Sequence, residues 1–124
     1  MDDVAAFHRA CDVPSLVRPC VPMSDRKELR LSLIREEVNN ELIPALLDDD
    51  LVGAADAMAD SIYVIVGTAL EYGIPLAAVW AAVQAANMAK VDPATGLVRR
   101  REDGKVLKPE GWTPPDIEAV LASV

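Results

Sequence analysis

Residues 31–63 read LSLIREEVNNELIPALLDDDLVGAADAMADSIY, and they contain two apolar runs of helical length that carry acidic residues. A soluble helix normally keeps apolar side chains on its inner face, so acids within the apolar stripe are unusual. On the first run, Glu36 and Asn40 are four residues apart. Glu37 and Glu41 have the same spacing, which stacks side chains on one face of an α-helix. The first run is therefore predicted to present one polar stripe.

The second run repeats this arrangement, because Asp56 and Asp60 are also four residues apart within AADAMADSIYVIV. If the two helices pack antiparallel, both acidic stripes can face each other across the bundle core. Like charges in a low dielectric are costly unless a positive group lies between them. Oxygen ligands of this kind suit a divalent cation, most often Mg²⁺, for which Mn²⁺ can substitute. The sequence therefore predicts a magnesium site between these helices.

The order of motifs along the chain resembles a known family. Two adjacent glutamates and a short loop are followed by D-x-x-x-D-x-x-Y, N-x-x-K and K-P-E-G-W. This order is similar to that of the all-alpha nucleoside triphosphate pyrophosphohydrolases, in their MazG-like and phosphoribosyl-ATP-pyrophosphohydrolase-like branch, from about Phe7 to the end of the chain. The resemblance implies an all-α fold, a four-helix-bundle unit with a small C-terminal β-hairpin, completed by oligomerisation as a dimer or a tetramer.

The resemblance also implies roles for individual residues. Glu36, Glu37 and Asp60 would be metal ligands, and Asp56 lies one turn earlier on the same face as Asp60. Glu36 or Glu37 would orient or deprotonate the attacking water. The implied substrate contacts lie further along the chain. Asn87, Lys90 and Lys108 would contact ribose or phosphate, and Tyr63 and Trp112 are candidate base or sugar contacts.

Two positions depart from the family pattern. Its first motif, E-E-x-x-E, would place a third glutamate at Asn40, and the neighbouring Glu41 is rotated by about 100° on an α-helix. Either the Asn40 amide is a neutral ligand, or Glu41 replaces it after a kink at Pro44, or the site holds one metal fewer. The second motif, E-x-x-D, would need an acid at Ala57, where the chain offers Asp56 instead.

The helix boundaries can be predicted from capping residues, prolines and glycines. Asp2 or Asp3 is expected to cap a first helix ending near Ala10, and Ser24 to cap a second one, with a kink or break at Pro44. Further elements follow in order. A solvated turn at 48–50 caps a helix over 51–72 that Gly73 ends, and a buried helix spans 75–89. A hairpin forms around the Asp-Gly of 98–107, and a short helix covers 116–124.

Composition limits the remaining possibilities. At 124 residues the chain is long enough for one domain, predicted to be 1–124. A formal net charge of −8 argues against a nucleic-acid partner. Two cysteines and the absence of a signal-like N-terminus favour a cytoplasmic protein with reduced thiols. The longest charge-free stretch, residues 72–89, is predicted to be a buried helix and not a membrane span. The only histidine, His8, is interpreted as a surface or packing residue.

These observations predict a magnesium-dependent enzyme that hydrolyses a nucleoside triphosphate, preferably a deoxynucleotide, to the monophosphate and pyrophosphate. Two alternatives stay open: a phosphoribosyl-ATP pyrophosphohydrolase of histidine biosynthesis, and a non-catalytic nucleotide-binding helical oligomer. Taken alone, Glu36 and Glu37 could also be solvated surface residues paired with a nearby cation. The candidates for that pairing are Lys27, Arg30 and Arg35.

Overall fold

The computed structural model describes all 124 residues and divides them into two compact units, Met1–Ile74 and Pro75–Val124. The first unit is entirely helical, and the second combines two helices with a small antiparallel hairpin, which confirms the predicted fold class. The prediction of a single domain stays a prediction. In the first unit the helices are α1 (Asp2–Ala10), α2 (Ser24–Ile34), a π-helical segment (Arg35–Leu42), α3 (Ile43–Leu47) and α4 (Leu51–Glu71).

The first two helices begin one residue earlier than the predicted caps allow. Met1 and Met23 are the N-cap residues, and neither helix has a side-chain cap. The predictions that Asp2 or Asp3 and Ser24 act as caps are therefore wrong. Asp2 and Asp3 lie inside the first turn instead, where their negative charge still interacts favourably with the helix dipole.

The helix that carries the paired glutamates does not break at Pro44. It runs from α2 through the π-helical segment into α3, and the Ile43 N–H bonds to the carbonyl of Val38, five residues back. Pro44 occupies the first turn of α3 and has no N–H to donate to the carbonyl of Asn40. The helix therefore widens before the proline, a distortion that is one of the known responses to a disturbed hydrogen-bond ladder.

The turn between α3 and α4 is a capping turn, as predicted. Asp49 has a positive φ of 55°, and the Asp50 carboxylate accepts a hydrogen bond from the Gly53 N–H at 2.9 Å. At its other end α4 stops at Glu71, and Gly73 follows with a φ of +64°. Both predicted boundaries of this helix are confirmed to within one residue.

The core of the first unit is small and lies along α4. Its buried apolar residues are mostly alanines, which let α1, α2 and the π-helical segment approach α4 closely. The opposite face of α4 exposes large apolar side chains, among them Met58, Ile62 and Ile65. By length and composition alone α4 could cross a membrane, a test that core helices also pass.

The second unit contains α5 (Leu76–Met88), β1 (Val91–Asp92), β2 (Leu97–Val98) and α6 (Ile117–Ala122). The strands pair Val91 with Val98 around the turn DPATG, so they do not flank the Asp-Gly turn as predicted. The Asp-Gly turn closes a second, looser loop through a single bridge between Arg100 and Val106. No residue of α5 is buried and Trp80 is 70% exposed, so the prediction of a buried helix is wrong.

Candidate active site

Five carboxylates come together on two elements of the first unit. The π-helical segment packs against α4, and no cation is paired with any of the five. The alternative that Glu36 and Glu37 pair with Lys27, Arg30 or Arg35 is therefore wrong, although Glu36 is exposed. The five residues are Glu36, Glu37 and Glu41 on the π-helical segment and Asp56 and Asp60 on α4.

Glu37 lies at the centre of this carboxylate cluster. It is half-buried, and its Oε2 atom is shielded from solvent without a hydrogen-bond partner. Burial raises the pKa of Glu37, and the negative charges of the other members raise it further. In decreasing order of effect, these charges belong to Asp60, Glu41, Glu36 and Asp56.

The π-helical segment changes which residue follows Glu36 along the helix face. A π-helix has more residues per turn than an α-helix, so the residue five positions on takes the place of the residue four positions on. Glu41 thereby occupies the direction that Asn40 would take in an α-helix, and the expected α-helical stacking of Glu36 with Asn40 is lost. The side chain of Asn40 is exposed and forms no hydrogen bond.

The second departure from the family pattern also has a structural counterpart. Ala57 is 2% exposed and belongs to the core, so an acid at that position would be buried. Asp56 and Asp60 are both exposed, and the negative charge of each raises the pKa of Glu37. Position 56, and not position 57, therefore lies with Asp60 on the acidic face of α4.

The cluster suits a divalent cation in the chemistry of its donors. All five side chains offer carboxylate oxygens, and the Glu37 Oε2 atom lacks any other partner. In this conformation, however, no three of the side chains lie close enough together to enclose a metal ion. Binding would therefore require the carboxylates to turn towards one another.

An aromatic pair lies next to the acidic face of α4. Tyr63 follows Asp60 by three residues on the helix, and its ring meets the edge of Phe7 from α1, with centroids 6.0 Å apart at 75°. Phe7 is 55% exposed. Tyr63 was the predicted base or sugar contact, whereas Phe7 was not predicted.

The second unit brings its four predicted substrate contacts together. Lys90 Nζ donates to Asn87 Oδ1 at 3.1 Å, and the ammonium groups of Lys90 and Lys108 lie 5.1 Å and 4.8 Å from the centre of the Trp112 ring. A cavity of about 310 Å³ borders both lysines and Arg99. Spacing predicted only that Asn87 and Lys90 share a face, because the return of Lys108 and Trp112 depends on the hairpin.

A buried ion-pair network in the first unit was missed by the sequence analysis. The Glu71 carboxylate, 1% exposed, accepts hydrogen bonds from Arg26 at 2.5 and 2.9 Å and from Arg30 at 3.4 Å. Arg30 also donates to the Thr68 hydroxyl and to the carbonyl oxygen of Val64. A signal was present, because Arg26 and Arg30 are four residues apart and Glu71 is the only acid in residues 61–71.

His8 packs against this network and is buried, not at the surface. A Cβ atom on Gly67 would lie 2.7 Å from His8 Nε2 and 2.5 Å from Arg30 Nη2, so only glycine leaves room for both side chains. Burial lowers the pKa of His8, and the neighbouring charge of Arg30 lowers it further. His8 is therefore a neutral packing residue.

Comparisons with known proteins agree with this architecture. A family model described as phosphoribosyl-ATP pyrophosphohydrolase matches residues 4–87, more than half of the chain. A solved structure described as a putative NTP pyrophosphohydrolase from Exiguobacterium sp. 255-15 is similar over 98% of this chain and 93% of its own, with 29% identity and a TM-score of 0.55. No curated protein matches. Together these similarities support a pyrophosphohydrolase acting on a phosphoric anhydride bond.

Proposed function

Since the chain belongs to the phosphoribosyl-ATP pyrophosphohydrolase family, we propose that it hydrolyses a nucleoside triphosphate, preferably a deoxynucleotide, to the monophosphate and pyrophosphate. The observation that carries this proposal is the carboxylate cluster around Glu37, which no cation of the chain neutralises. Keeping five acids together without a counter-ion destabilises the fold, so the arrangement makes sense where a cationic ligand binds.

The proposed cofactor is Mg²⁺, for which Mn²⁺ can substitute. Glu36, Glu37 and Asp60 would hold it, with Asp56 beside them and Glu41 in the place of the third glutamate. Asn40, on the exposed side, is the weaker candidate ligand. When bound, the cation would neutralise phosphate oxygens and make a bound water more acidic.

Glu37 is the proposed general base, and Glu36 is the alternative. The buried Oε2 atom of Glu37 has no competing hydrogen-bond donor, so it is free to accept a proton. It would take a proton from the attacking water. The other carboxylates of the cluster would hold that water in line with the attacked phosphorus and share the charge that develops when the proton is transferred.

Within the second unit, Lys90 and Lys108 are the proposed contacts for phosphate groups. Lys90 and Lys108 present ammonium groups without a carboxylate partner, and Asn87 orients Lys90. Such preorganised cations stabilise charge that develops on a leaving pyrophosphate. Tyr63, together with Phe7, is the proposed contact for base or sugar.

We further propose that the protein is a cytoplasmic homo-oligomer, a dimer or a tetramer, without nucleic-acid or membrane partners. The exposed apolar face of α4 supports the oligomer, because Met58, Ile62 and Ile65 would leave water in an interface between subunits. The acidic net charge of −8 supports the absence of a nucleic-acid partner.

The test is pyrophosphate release from a panel of ribo- and deoxyribonucleoside triphosphates in Mg²⁺ or Mn²⁺. Wild type should turn over at least one of them, and Glu37→Gln should lose that activity by roughly a hundredfold or more. Asp48→Asn is the matched control, since Asp48 is exposed in the turn before α4 and its side chain makes no hydrogen bond. Absence of turnover with every triphosphate would contradict the proposal.

Phosphoribosyl-ATP is the second candidate substrate, because the description of the matching family names it. It belongs in the same panel. Preference for it over every simple triphosphate would assign the chain to histidine biosynthesis. Tight nucleotide binding without hydrolysis of any substrate would instead favour the non-catalytic oligomer.

A further inference from the structure

The Trp112 indole in the second unit is held by three contacts. Its Nε1 atom donates a hydrogen bond of 2.7 Å to the carbonyl oxygen of Ala86, which fixes the ring to α5. The ammonium groups of Lys90 and Lys108 lie 5.1 Å and 4.8 Å from the ring centre. Both distances fall within the range of about 6 Å in which an aromatic face attracts a cation.

These contacts use the groups with which a tryptophan would recognise a base. The indole N–H is committed to Ala86, and the ring is committed to two ammonium groups. The indole N–H is therefore not available to donate to a nucleobase. The ring serves the two lysines instead.

The two positive charges near one ring repel each other, so an anion that binds both would stabilise the arrangement. Neither lysine is paired with a carboxylate, and Lys90 has only the neutral oxygen of Asn87 at 3.1 Å. Arg99 borders the same cavity but is engaged by Asp92 at 2.9 Å. The two ammonium groups are thus the free cations of a cavity of about 310 Å³, which Glu110 also lines.

We propose that Trp112 is a positioning residue that holds Lys90 and Lys108 together as a receptor for a diphosphate anion, the class to which the released pyrophosphate belongs. This inference deepens the proposed function and rests on it. Two ammonium groups that lie 5.1 Å and 4.8 Å from one ring centre can each contact a phosphoryl group of a diphosphate, whereas a single lysine would bind one phosphate as a point charge.

The test is binding of inorganic pyrophosphate to the full chain by calorimetry, in a metal-free buffer. Trp112→Leu removes the aromatic face and should weaken binding roughly fivefold to thirtyfold, since two cation–π contacts are lost. Trp112→Phe keeps a face and should recover most of the affinity. Trp80→Leu is the matched control, because Trp80 is 70% exposed on α5 and should leave binding unchanged.

A second measurement keeps Trp112 in place, so it does not depend on whether Trp112 variants fold. The chain has two tryptophans, so Trp80→Phe makes Trp112 the only indole. Its fluorescence should change as pyrophosphate binds to the ammonium groups over the ring, and Lys90→Met should shift that titration to higher concentration. An unresponsive Trp112 would overturn the inference.

Two further outcomes would also overturn it. One is a Trp112→Leu variant that binds pyrophosphate like wild type yet loses affinity for a non-hydrolysable triphosphate, which would make Trp112 a base contact. The other is a wild-type chain that does not bind pyrophosphate at all. Failure of the proposed function has a different signature, namely pyrophosphate binding without turnover of any substrate.

Discussion

Glu37 shows how one side chain can carry both a cost for the fold and a use for the site. Its pKa is raised by burial and by four neighbouring acids, so its negative charge destabilises the folded chain at neutral pH. A bound cation would reverse the sign of that contribution. Stability is therefore a readout of the site that does not require activity.

Glu37→Gln should raise the thermal midpoint by a few degrees in chelator, because it removes a poorly solvated charge from the cluster. In millimolar MgCl₂ the order should reverse, since wild type gains stability from the metal and the variant gains less. Differential scanning fluorimetry with and without Mg²⁺ measures both effects. Equal Mg²⁺ responses of the two proteins would count against Glu37 as a ligand.

Glu71 makes the opposite contribution, because its charge is buried together with its partners. Glu71→Gln leaves Arg30 buried without a counter-charge, which should lower the free energy of unfolding by roughly 3–5 kcal/mol. Urea unfolding followed by circular dichroism measures it. Asp103→Asn breaks the exposed pair with Arg101 and serves as the control, expected to unfold like wild type.

His8 should make the stability of the fold depend on pH. Because its pKa is lowered in the folded chain, the unfolded chain binds a proton more readily once the pH falls through about 6.5. The charges that face it are Arg30, Glu71 and Arg26. The free energy of unfolding should therefore fall on acidification, and His8→Gln should remove that part of the fall between pH 7.5 and 5.5. An unchanged pH profile would disprove this role.

Helix ends and lengths were predictable where local chemistry determines them. The capping turn before α4, its end at Gly73 and the span of α5 all follow from Asp, Gly and Pro at fixed positions. The π-helical segment was not predictable, because it depends on packing around Pro44 as much as on propensity. The Arg26–Arg30–Glu71 network joins residues more than forty positions apart. Periodicity places Arg26 and Arg30 on one helix face, but it does not say which distant acid they meet.

The cap of α4 offers a test of the turn at 48–50. Asp50→Ala removes the acceptor of the Gly53 N–H and should lower the free energy of unfolding by about 1 kcal/mol, without changing the response to Mg²⁺. Asp48→Ala, at a position without a side-chain hydrogen bond, should cost much less. Urea unfolding in the presence and absence of Mg²⁺ separates a cap from a metal ligand. Loss of the Mg²⁺ response in Asp50→Ala would assign this turn to the site.

For the whole molecule, the exposed apolar face of α4 is the main destabilising feature that the single chain does not explain. A helix with Ile62 63% exposed is expected to have a partner, and a second copy of the chain is the proposed one. The family resemblance of the sequence already implied an oligomer. The sequence could not say which side of α4 the chain itself covers, because that depends on how α1 and α2 pack.

Ile62→Lys should therefore shift the protein towards the monomer, since a charge in an apolar interface must be desolvated. Sedimentation velocity at micromolar concentration measures the change. Val17→Lys is the control, because Val17 is equally apolar and 86% exposed but lies in the loop before α2. A wild-type chain that sediments as a monomer would refute the proposed assembly.

The π-helical segment can also be understood as an insertion. A π-helix arises when a helix gains one residue without moving either of its ends. Removing Asn39 from EEVNNE would leave EEVNE, in which the third acid stands at the α-helical distance from the first. The chain would then have kept its acidic pattern while its length changed, with the extra residue absorbed in the backbone. A comparison of sequences position by position, without a gap, would score the third acid of such a site as lost.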